Sequence, residues 1–62
     1  MLCTSTIRRL DEFFEGDFEK IELWFNTPNP MLGGISPLRM IILRNGKKLE
    51  QFINAMLDGE LP

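Results

Sequence analysis

Residues 24–37 read Trp-Phe-Asn-Thr-Pro-Asn-Pro-Met-Leu-Gly-Gly-Ile-Ser-Pro, and no regular helix or strand can run through them. Pro28, Pro30 and Pro37 remove backbone donors and push the residue before each of them out of the helical region. Gly33-Gly34 supplies backbone that takes positive φ or lets another chain approach closely. Loops are usually polar, but this one carries Met31, Leu32 and Ile35 between its turn-forming residues. Such a segment is expected to fold back and bury its own side chains, as a compact omega-type loop does. Any fold must therefore place short elements on either side of this elbow.

The flanks are patterned for helices. From Thr4 to Glu15, Ile7, Leu10 and Phe14 fall at i, i+3 and i+7, with Thr4 or Ser5 available as a cap and Gly16 as a stop. Asp17 offers a carboxylate to the free N–H groups of a second helix, about Phe18 to Asn26, whose apolar face would be Phe18, Ile21, Trp24 and Phe25. Leu23 lies off that stripe. After the loop, Ser36-Pro37 places a cap before a proline at the first helical position, where its missing N–H costs nothing. The third helix would bury Leu38, Ile41 and Ile42, and Asn45-Gly46 would break it. From about Lys47 to Leu57 the residues Leu49, Phe52, Ile53, Met56 and Leu57 keep the i, i+3, i+4, i+7, i+8 pattern, and Gly59 closes the helix. The expected fold is all-α: a compact bundle of about four short helices around a Pro/Gly-rich central loop, one domain over residues 1–62.

Sixty-two residues bury little apolar surface, so a free chain of this size is marginal and gains from a partner or from self-association. Cys3 is the only cysteine, so no internal disulfide forms, and without histidine no metal site is expected. A single thiol suits a reducing cytoplasm. No apolar run approaches the roughly 18 residues of a membrane span, and Arg8-Arg9 is followed by Leu10-Asp11-Glu12 rather than the apolar core of a signal peptide.

The same composition argues against catalysis. The chain has no histidine and no tyrosine, and six of its nine carboxylates (Asp11, Glu12, Glu15, Asp17, Glu19, Glu22) lie in its first 30 residues, off the apolar stripes. Gly33-Gly34 follows no strand and lacks the lysine of a phosphate loop. No enzyme activity and no cofactor are expected. Arg44, Lys47 and Lys48 at a helix–turn–helix give the outline of a DNA reader, but the last helix then shows Glu50, Gln51 and Asn54 on its open face. So few bases at a net charge of −2 disfavour nucleic acid as a partner. Five Phe and one Trp exceed what four short helices readily hide, so of Phe13 beside Phe14 and Phe25 beside Trp24 at least one is a candidate for partial exposure at an interface.

The run from Trp24 through Thr27-Pro28-Asn29, Leu32-Gly33-Gly34 and Pro37-Leu38 closely resembles the signature of the Xre/MbcA/ParS-type antitoxin toxin-binding domain. The resemblance continues into Asn45-Gly46, the last helix and Gly59, covering about residues 10–60. It implies a bacterial antitoxin module of a type II toxin–antitoxin pair, binding a cognate RES-type toxin that consumes NAD or transfers ADP-ribose. Inhibition would be steric, by occlusion of the toxin's NAD-binding cleft. Carried onto this sequence, Trp24, Pro28, Asn29, Leu32, Gly33, Gly34 and Pro37 would build the fold. The last helix and the stretch Asp58, Gly59, Glu60, Leu61 and Pro62 would contact the partner, with Glu60 mimicking part of the dinucleotide. Family members commonly carry a DNA-binding domain ahead of this one, and the residues before the match are too few to hold it. The alternatives are a self-associating helical adaptor and, third, a minimal DNA-binding regulator.

Overall fold

The computed structural model describes residues 2–60. Four helices, α1 (Thr4–Phe13), α2 (Phe18–Asn26), α3 (Pro37–Ile42) and α4 (Gly46–Leu57), are joined by tight turns and by one central loop. That loop contains a single 3-10 turn, Pro30–Leu32, and the protein is all-α as the sequence predicts. Each helix packs on the next, and α4 closes back on α1, so the four form a ring. Inside it Leu10, Met40, Leu49 and Ile53 are buried together. Phe14, Trp24, Phe25, Leu32, Ile35 and Met56 pack around them, half-covered.

Three helices end in the same way. The chain turns left-handed at Glu15, Arg44 and Gly59, at φ 56°, 62° and 72°. At each end two N–H groups reach back to free carbonyls: Gly16 to Asp11 and Glu15 to Glu12, Asn45 to Met40 and Arg44 to Ile41, Glu60 to Ala55 and Gly59 to Met56. This is the Schellman arrangement, which normally places glycine at the left-handed position. Glu15 and Arg44 occupy it with a Cβ, at a cost of about 1 kcal/mol each. The glycine at 46, read from the sequence as the break, instead opens α4 and is buried there. Arg44→Gly is therefore expected to stabilise the domain by about 0.5–1 kcal/mol, seen as a higher urea midpoint with an unchanged slope.

The starts of α2 and α3 match their sequence signals. Asp17 accepts from the Lys20 N–H, and Ser36 accepts from the Arg39 N–H with Pro37 as the first helical residue. Other expectations are corrected. The start of α1 has no side-chain cap, its N-cap being Cys3, and the helix stops at Phe13, two residues early. Ile7 and Phe18, placed on buried stripes by spacing, are exposed, as is Met31 in the loop.

The apolar face of α3 is also rotated from the expected one. Pro37 and Met40 are buried and Ile41 is half-covered, while Leu38 and Ile42 lie open at 41% and 64% exposure. This helix is apolar nearly all round, so periodicity alone leaves its phase undecided.

A candidate protein-docking surface

The central loop is latched by Asn29. Its side-chain oxygen accepts from the Met31 N–H at 2.9 Å. Its own N–H donates to the Ile35 carbonyl at 3.0 Å, and its carbonyl accepts from Leu32 and Gly34. These bonds close residues 29–35 into one small ring, with Gly33 and Gly34 at φ 79° and 85° supplying the reversal. The closure turns Leu32 and Ile35 onto the core and leaves Pro28 and Met31 in solvent. Trp24 is half-buried, edge-on to Phe25 at 5.1 Å and tilted against Phe14 at 6.5 Å. Among the signature residues between Trp24 and Leu38, Pro37 alone is fully buried.

A polar seam joins α1 to α4. The Cys3 N–H donates to Glu50 Oε2 at 3.1 Å, Asn54 Nδ2 donates to Thr6 Oγ1 at 3.4 Å, and Arg9 Nη1 donates to Asn54 Oδ1 at 2.7 Å. A second nitrogen of the same guanidinium, Nη2, donates to Asp58 Oδ1. Positions 50, 54 and 58 repeat every four residues and positions 3, 6 and 9 every three, so each set lines one helix face. Both sets rise together along the chain, which makes the two helices parallel. Thr6 is 2% exposed, and its bond to Asn54 satisfies a hydroxyl otherwise taken out of water. The sequence reading assigned Glu50 and Asn54 to an open face; both face α1, and only Gln51 stays in solvent. The signal for the seam was present in the two spacings, but polar residues on a helix are read by default as solvated.

Asp58, Gly59 and Glu60, expected at the partner contact, follow directly on α4 and are exposed. Asp58 is the C-cap and is held by Arg9, while the Glu60 N–H is tied back to Ala55 at 2.8 Å. Leu61 and Pro62, named with them, lie outside the described residues. Phe13 stands one turn beyond Arg9 on the same side of α1, 58% exposed and edge-on to Phe14. Of the two aromatic neighbours expected to include a partly exposed one, Phe13 is open and Phe25 is half-buried. Leu23, Leu38, Ile42 and Leu43 add further apolar surface in solvent.

The Cys3 thiol is held below its ordinary pKa, chiefly by its hydrogen bond with the Ser5 hydroxyl and by backbone bonding there. Among the described residues no three metal-ligating side chains gather, and no helix is long and apolar enough to cross a membrane. Two shallow concavities among the described residues are each lined by one helix segment: one beside Glu19, Leu23 and Asn26, another beside Lys47, Gln51 and Asn54.

These features describe a small helical module that presents surface rather than a cleft. The chain belongs to the Xre/MbcA/ParS antitoxin family: residues 9–59, from the middle of α1 past the end of α4, match the antitoxin Xre/MbcA/ParS C-terminal toxin-binding domain. Comparison with curated proteins and with solved structures returns no match.

Proposed function

We propose that this chain, acting as a single cytoplasmic binding domain and not as an enzyme, neutralises a RES-type toxin. The toxin would consume NAD or transfer ADP-ribose, and the stretch from Asp58 to Pro62 would block its dinucleotide cleft. The observation that carries this reading is the presentation of Asp58, Gly59 and Glu60, exposed, at the end of a helix anchored along its length. A carboxylate at Glu60 suits a cleft built for a negatively charged dinucleotide. A standard protein–protein interface takes about 800 Å² from each side. Such an interface uses about 20–30 residues on each side, and a tail of five therefore requires flanking surface. Phe13, an exposed aromatic one turn beyond Arg9 on α1, is the flank assigned to it.

The test is to capture the chain from its native cells, identify the companion protein, and assay NAD consumption with and without the domain. The paired substitutions Glu60→Ala and Leu61→Ala are expected to weaken inhibition at least tenfold while leaving the helical circular-dichroism spectrum unchanged. Undiminished inhibition removes the tail from the mechanism.

One observation favours a second reading, the self-associating adaptor. Leu38 and Ile42, four residues apart on α3, form an apolar stripe in solvent. Sedimentation of the purified chain separates the two: a stable dimer without any companion supports the adaptor, and a monomer that binds a NAD-consuming protein supports the antitoxin.

A further inference from the structure

The last turn of α4 is built in a way that its stability does not call for. Asp58 places a negative charge at a helix C-terminus, where the carbonyl dipoles already disfavour one. Its partner Arg9 is 39% exposed and Asp58 48%, and ion pairs so open to water add little to folding. Yet Arg9 is held with care. Its planar guanidinium spans two successive turns of α4, one nitrogen on Asn54 and one on Asp58. Asn54 is itself fixed through its amide nitrogen to the buried Thr6. Restraint thus runs from the interior, through Thr6, Asn54 and Arg9, to the residue at which the tail begins.

Beyond Asp58 the backbone continues the same chain of restraint. Gly59 donates to Met56 at 3.2 Å and Glu60 to Ala55 at 2.8 Å, so the direction in which Glu60 leaves depends on the last turn staying wound. We infer that Arg9 is a positioning residue for the inhibitory tail: its fork on Asn54 and Asp58 fixes the exit of Gly59 and Glu60 before any partner arrives. Pre-ordering of this kind raises affinity by lowering the ordering cost at binding, without adding a contact. The inference rests on the proposed role of the tail for its effect on inhibition, but its structural half stands apart from that role.

The structural half is tested on the free chain by amide hydrogen exchange. Arg9→Met, which keeps an unbranched stem and removes both bonds, is expected to raise exchange at Gly59 and Glu60 about tenfold and leave Ile53 unchanged. No change at Gly59 and Glu60, or an equal rise at Ile53, overturns it. The double exchange Arg9→Asp with Asp58→Arg is expected to restore part of the protection.

The functional half is a cycle on the NAD-consuming protein that co-purifies. Inhibition is measured for the parent, Arg9→Met, the Glu60→Ala/Leu61→Ala pair, and all three substitutions together. Arg9→Met is expected to weaken inhibition about tenfold in the parent and less than twofold once the tail is altered. An equal effect in both backgrounds means that Arg9 serves the fold alone. A tail pair that inhibits as well as the parent sinks the proposed role of the tail instead, and the exchange result at Gly59 and Glu60 then still judges the positioning.

Discussion

Leu49→Ala is expected to unfold most of the domain at room temperature. Leu49 is 0% exposed, on the helix that contacts both α1 and α3. Truncating a buried leucine costs about 2–5 kcal/mol, because the lost burial is joined by a cavity that neighbours only partly refill. A core of this size rarely supplies more than about 3–5 kcal/mol in total. One substitution thus approaches the whole margin. Urea titration followed by far-ultraviolet circular dichroism measures it, with Ile53→Val as the mild comparison at about 1 kcal/mol. A Leu49→Ala protein melting within 1 kcal/mol of the parent would mean that the ring of helices closes over the gap.

The double substitution Gly33→Ala/Gly34→Ala is expected to cost roughly 2–4 kcal/mol, almost as much, for a different reason. A Cβ at either position meets nothing within 4 Å, so there is no clash to relieve. The penalty is the left-handed backbone itself, at φ 79° and 85°. Relaxing it pulls Gly34 away from the Asn29 carbonyl and loosens the loop that turns Leu32 and Ile35 inward. Met31→Ala, in the same loop but 53% exposed, is expected to change stability by less than about 0.5 kcal/mol. Thermal melts of the three proteins check this. Equal melting of the glycine pair and the parent would show that the loop adopts another closure at no cost.

Helix number, the limits of α2 and the starts of α2 and α3 were legible because their signals are local. A carboxylate or hydroxyl before a run, a proline at the first position and a glycine after the last each act within one turn. The phase of α3 was not legible, since Pro-Leu-Arg-Met-Ile-Ile offers two apolar stripes and only packing against α2 and α4 selects between them. Nor was the left-handed turn at Arg44, because the glycine two residues on carries the stronger conventional signal. The family signature pointed to the toxin-binding domain type, and residues 9–59 match that family. What it left invisible was the seam: a buried threonine, an asparagine and an arginine whose partners lie 45 to 49 positions away.

Those separations bear on when the domain can form during synthesis. The parallel pairing of α1 with α4 is long-range, and loop closure across most of the chain must precede it. Until residues 49–58 have left the ribosome, Leu10 lacks its buried neighbours Leu49 and Ile53, and Thr6 and Arg9 lack Asn54 and Asp58. A nascent chain stopped short of α4 therefore has no ring to close. Interrupted translation leaves a chain without Leu49 and Ile53, half of its buried core cluster.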